Sequence, residues 1–120
     1  MLVCRGVGAN YYVLLAFAPV LVVTGFLGFV IPEDKSPTSG ALPYNIFHLI
    51  SGATGLAVLY TGDATWARAF NLGFGLIDLY QAAASFFGWF PRAQFKWKRA
   101  DDILHIIIGV ALVSIGLLGK

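Results

Sequence analysis

Residues 11–31 read YYVLLAFAPVLVVTGFLGFVI, an unbroken stretch with no charged side chain. Thirteen of these residues are Leu, Ile, Val or Phe, each favouring insertion into lipid by roughly 0.3 to 0.6 kcal/mol, or about 4 to 8 kcal/mol together. At about 1.5 Å of rise per residue, such a helix crosses a hydrocarbon layer roughly 30 Å thick. The run is longer than a signal-peptide core and is followed by no small-x-small cleavage site and soluble domain, so a retained anchor is expected.

The rest of the chain agrees with this solvent. Of 120 residues, 58% are hydrophobic and only 12% are charged, whereas soluble domains carry about a quarter charged residues. A net charge of +2, with the basic residues gathered mainly in one loop, leaves no nucleic-acid footprint. The single cysteine, Cys4, can form neither an internal disulfide nor a metal site. The expected fold is all-α: residues 1–120 as one integral membrane domain, a four-helix transmembrane bundle with spans at about 11–31, 44–61, 67–90 and 103–119.

Three connections separate the spans. Pro32, Glu33, Asp34, Lys35, Ser36, Pro37, Ser39, Gly40 and Pro43 make a turn-rich link. Gly62, Asp63 and Thr65 make a tight turn, and Pro91 ends the third span. The third link is basic: Arg92, Lys96, Lys98 and Arg99 alternate with Phe95 and Trp97, the pattern of a lipid interface where rings bury and cations meet headgroups. Four crossings place Arg5, Arg68 and Lys120 on one face and Lys35, Arg92, Lys96, Lys98 and Arg99 on the other, so loops 32–43 and 91–102 are expected to be cytoplasmic. A bacterial inner or thylakoid membrane is the expected location.

Spans two and four begin alike. Asn45-Ile46-Phe47-His48-Leu49-Ile50-Ser51-Gly52 lies over Asp102-Ile103-Leu104-His105-Ile106-Ile107-Ile108-Gly109, and Gly28-Phe29-Val30-Ile31-Pro32 over Gly88-Trp89-Phe90-Pro91. The chain therefore reads as a duplicated helical hairpin whose copies share one orientation, with His48 and His105 at matching depth. Two accounts suit these residues. In the simpler, which takes precedence, Asn45 and Asp102 cap their helices, Gly52 and Gly109 let helices approach closely, and no cofactor is bound. In the other, His48 and His105 ligate a haem b iron or hold chlorophyll, with Gly52 and Gly109 leaving room for the macrocycle.

Asp78 falls in the middle of span three, where a carboxylate costs roughly 2.5 to 3.5 kcal/mol, so it is expected to face the interior. Thr54, Gln81 and Ser114 are its expected polar neighbours, and the histidines are expected about 13 Å nearer the surface. An acid there is also a candidate for a small channel or proton-coupled transporter. There is no P-loop, Gly-x-Ser-x-Gly, His-Glu-x-x-His or cysteine pair, so no enzyme is expected.

Asn45-x-x-His48-x-x-x-Gly52-x-x-Gly55-Leu56, Ala67-Arg68 opening a span with Gly75 and Tyr80, and Asp102-x-Leu104-His105-x-x-x-Gly109 together resemble one group of proteins. These are the small four-helix membrane proteins of bacteria and cyanobacteria grouped as domain of unknown function 4383. The resemblance covers about residues 44–118 and implies a four-helix membrane fold without an activity. Asp78 and the basic link at 92–99 depart from that pattern. With no soluble module, the chain is expected to be a non-enzymatic accessory subunit, its partners membrane lipids and the larger subunits of a photosynthetic or respiratory complex.

Overall fold

The computed structural model describes residues 8–32, 34–36 and 38–119. Cys4, Arg5, Glu33, Pro37 and Lys120, used above, lie outside them. The described residues hold five helices and no strand: α1 (Ala9–Val30), α2 (Leu42–Thr61), α3 (Ala64–Phe87), α4 (Arg92–Phe95) and α5 (Arg99–Leu118). Three of them, α1, α2 and α5, are long and apolar enough to cross a membrane. Helix α3 has the length but carries Arg68, Asn71, Asp78 and Gln81.

Helix ends follow local chemistry and shift the expected boundaries. Gly62 at φ 69 and Gly88 at φ 78 close α2 and α3 in the left-handed conformation that glycine adopts without strain. Helix α3 thus stops at Phe87 rather than at Phe90 before Pro91. Asp63 caps its start, accepting from the Thr65 N–H at 2.8 Å. Helix α2 begins at Leu42, because Pro43 suits a first turn. Helix α5 begins at Arg99, four residues before the expected position. The basic link, expected as loop, folds a turn of helix, α4.

Neighbouring helices pair. Helix α1 runs antiparallel along α2, with Gly28 against Asn45, Gly52 against Val22 and Gly55 against Ala18; α3 runs along α5 through Gly75, Gly109 and Gly116. Glycine at these points lets the backbones meet, and in a membrane such contact replaces the missing hydrophobic drive. Contact between the two pairs is sparser and is filled by rings. Phe17 of α1 and Phe47 of α2 lie 5.6 and 5.8 Å from Phe74 of α3, which stacks on Phe70. At the end holding the α2–α3 turn, a buried knot ties the pairs. Asn71 Nδ2 donates to Asn10 Oδ1 and O at 3.1 and 3.0 Å, and Asn10 Nδ2 donates to Ile115 O.

The outer surface is apolar, with Val20, Phe26, Ile50, Leu76, Phe86, Ile107 and Leu118 all exposed. The long axis measures 46 Å, matching a bilayer with its headgroup layers at about 40–45 Å.

Candidate functional site

At the opposite end, beneath the links 31–41 and 88–98, the two pairs part around a cavity of about 170 Å³. Phe17 and Leu21 of α1, Phe74 of α3 and Ile108 of α5 make its apolar wall. Its polar groups come from all four long helices and the first link: Thr24 of α1, Thr38 of the link, Tyr44 and His48 of α2, Asp78 of α3, and Asp101 and His105 of α5. Tyr44, Asp78, Asp101 and His105 are each at most 5% exposed. The cavity is the interval the aromatic contacts leave where the glycine-tight pairs do not reach each other.

The two histidines stand in one register, each six residues beyond the first residue of its helix. Asp78 is nine residues from the last residue of α3. The difference is about 4.5 Å of depth, not the 13 Å expected, because α2 and α5 start earlier and α3 ends earlier than the apolar runs indicate. Asp78 and both histidines therefore share one cavity.

Tyr44 is central to it. Its hydroxyl lies 2.7 Å from His105 Nε2, and its ring centroid is 4.3 Å from that of His48. A macrocycle sandwiched between the two imidazoles has to displace this ring. Gly52 and Gly109 do not open space for one either. They face their own hairpin partners, where a Cβ would come 2.5 Å from Val22 Cγ2 and 2.8 Å from Leu79 Cδ2 respectively.

The expected caps are also corrected. Asn45 lies inside α2 and its Nδ2 donates to Gly40 O at 3.0 Å. At α5 the capping carboxylate is Asp101, not Asp102. Asp101 Oδ2 accepts from Lys98 N–H at 2.8 Å and from Ser39 N–H at 2.7 Å, so one side chain closes the helix start and ties the first link to it. Ser39 Oγ in turn donates to Phe95 O, and Lys98 Nζ to Ser36 O at 2.7 Å.

Of the polar neighbours expected for Asp78, only Gln81 is one: its Nε2 donates to Asp78 Oδ1 at 3.2 Å. Thr54 and Ser114 are exposed on the outer sides of α2 and α5, and Thr54 Oγ1 donates to Ile50 O. The partner that sequence missed is Trp97, whose Nε1–H donates to Gln81 Oε1 at 3.2 Å. Its ring lies 6.1 Å from His105 and 5.6 Å from Phe95, and Phe95 lies 5.2 Å from Tyr44. Both rings, expected at the lipid interface, turn inward and roof the cavity, while Arg92, Lys96 and Arg99 remain exposed. Lys98 is half-buried.

Trp97→Phe tests that roof, since it keeps the ring and deletes the N–H. It is expected to lower stability by about 1 kcal/mol in detergent unfolding. No change would return Trp97 to a lipid anchor.

No group of three or more metal-binding side chains occurs among the described residues. Comparison with models of known protein families, with curated proteins and with solved structures finds no match.

Proposed function

We propose a four-pass integral membrane protein, built as a duplicated helical hairpin, that binds a small amphipathic molecule between its two hairpins and is not an enzyme. Support for the fourth crossing comes from α3. Asn71, Asp78 and Gln81 are buried, the exposed Arg68 lies near the helix start, and the exposed side beyond it carries Leu76, Ile77 and Phe86. Support for duplication comes from register: Asn45, His48 and Gly52 stand at the same distances from the start of α2 as Asp102, His105 and Gly109 from the start of α5. Four membrane helices are also what the resemblance to domain of unknown function 4383 implies. On the charge rule, the cavity end, with Lys35, Arg92, Lys96, Lys98 and Arg99, faces the cytoplasm of a bacterial inner membrane or its thylakoid equivalent.

The observation that carries ligand binding is the cavity itself. Convergent polar groups among aromatic and aliphatic walls are the pattern of a small-molecule site. A small ligand is favoured over haem or chlorophyll because Tyr44 occupies the space beside both histidines. Membership of a photosynthetic or respiratory complex draws on chain size alone and is the lesser reading.

The test is thermal unfolding of the purified protein in detergent across a panel of small amphipathic molecules. At least one is expected to raise the midpoint of the wild type but not of Ile108→Trp, which fills the cavity. A panel that shifts neither protein, or shifts both equally, removes the site.

A further inference from the structure

We propose that the cavity opens sideways into the membrane between α1 and α5. Its occupant is a membrane-dissolved amphiphile with a compact, hydroxyl-bearing head, which enters there and leaves its hydrocarbon chain in lipid. This rests on the reading of the cavity as a ligand site and adds the route into it and the kind of molecule that takes that route.

The lining is shared unequally. Helices α1 and α5 each supply four side chains at the i, i+3, i+4, i+7 spacing of one helix face, starting from Phe17 and from Asp101, whereas α2 and α3 supply two each. The cavity is therefore a cleft between α1 and α5, backed by α2 and α3. That back is closed: Tyr44, Phe74 and Asp78 are at most 6% exposed, and His48 is half-buried. The edges are open, since Val20 of α1 is 55% and Leu104 of α5 43% exposed although both line the cavity. The two helices are joined at the far end, where Asn10 Nδ2 donates to Ile115 O and Gly119 lies beside Ala9, which leaves them free to part at this one.

The opening faces lipid rather than water. Val20 stands ten residues before the last residue of α1 and Leu104 five after the first of α5, so the edges lie roughly 15 and 8 Å in from the helix ends. Beside them Val23, Ile103 and Ile107 are exposed, an apolar surface at the level of the hydrocarbon layer. On the water side the two links are laced together: Ser39 N–H donates to Asp101 Oδ2, Ser39 Oγ to Phe95 O and Lys98 Nζ to Ser36 O. A molecule arriving from water has to break these bonds, and one arriving from lipid does not.

Volume and lining set the head. A cavity of roughly 150 Å³ holds a benzene ring, so one of about 170 Å³ takes a group of that size and leaves a long chain outside. The polar groups around it are of both kinds, with hydroxyls on Thr24, Thr38 and Tyr44 and carboxyl oxygens on Asp78 and Asp101. His105 Nδ1 is buried with no hydrogen-bond partner among the described residues. Nδ1 donates in one tautomer and accepts in the other, and a hydroxyl, which does both, satisfies it in either. An anionic head meets two carboxyl groups, and among the described residues no lysine or arginine lines the cavity to offset it.

Native mass spectrometry of the detergent-solubilised protein tests this with three probes that share one chain: monoolein, methyl oleate and oleate. Their heads are, in turn, hydroxyl-bearing with about six heavy atoms, purely accepting, and anionic. The wild type is expected to retain one monoolein and about tenfold less of either other probe. Val20→Trp and Leu104→Trp, which enlarge the two edges, are each expected to lower monoolein retention about tenfold. Val23→Trp, on the outer face of α1 and off the lining, is expected to retain it as the wild type does. Circular dichroism checks that each variant is folded, and either edge variant alone decides the route. Retention that survives both edge substitutions but is lost in Ile108→Trp overturns sideways entry and keeps the ligand site. Retention that survives Ile108→Trp overturns both. Methyl oleate or oleate held by the wild type as strongly as monoolein overturns the hydroxyl head, and no retention of any probe overturns the whole proposal.

Discussion

Gly52→Leu is expected to separate α1 from α2 and to lower stability by about 3 kcal/mol or more. A Cβ at this position would lie 2.5 Å from Val22 Cγ2, 2.8 Å from the Val22 backbone nitrogen and 3.2 Å from Ala18 O. Two of these three neighbours are backbone atoms of the facing helix, which no rotamer change can move aside. The axes of the hairpin have to spread, and the contacts of Gly55 with Ala18 and of Gly25 with Leu49 spread with them. Gly73→Leu is the control, because a Cβ there meets nothing within 4 Å. It is expected to be neutral or to gain up to about 1 kcal/mol from helix propensity. Unfolding of the detergent-solubilised variants, followed by circular dichroism, compares the two. Equal stability of Gly52→Leu and wild type would mean that α1 and α2 do not meet at this glycine.

The second large effect is expected at Asp101, for which Asp101→Ala should cost about 3 to 5 kcal/mol. The substitution strands the N–H groups of Ser39 and Lys98, two donors that now share one carboxylate oxygen, and unties the first link from the start of α5. Asp102→Ala is the informative partner, because Asp102 Oδ1 is buried with no hydrogen-bond partner among the described residues. Its loss is expected to be neutral or mildly stabilising. The same unfolding measurement separates the two, and a larger loss at Asp102 than at Asp101 would restore Asp102 as the cap.

The repeat around His48 and His105 was legible because it is a one-dimensional pattern. Equal offsets from two helix starts put the imidazoles in one register wherever those starts lie. The content of the site was less legible for the same reason in reverse. An apolar run marks where charge is missing, whereas a helix begins where its first free N–H groups find acceptors. Between Asp101 and Asp102 composition offers no choice, yet only Asp101 reaches both Lys98 and Ser39. A four-residue error in the start of α5 amounts to about 6 Å, enough to move Asp78 out of reach of His105. Trp97 and Phe95 fit a headgroup layer by every local sign, and only contacts with Gln81 on α3 and Tyr44 on α2 turn them inward.

Residue-by-residue transfer energies sum along a chain without regard to order in space. For that reason sequence alone determined that this one is all-helical, with helices apolar enough to cross a membrane, and that its two histidines fall at matching places in two similar stretches. Tertiary structure alone decided which side chains meet. Two pairs closed by glycine and held apart by phenylalanine rings leave a gap, and what lines that gap depends on distances between residues far apart in the chain, such as Tyr44 and His105, 61 positions from each other.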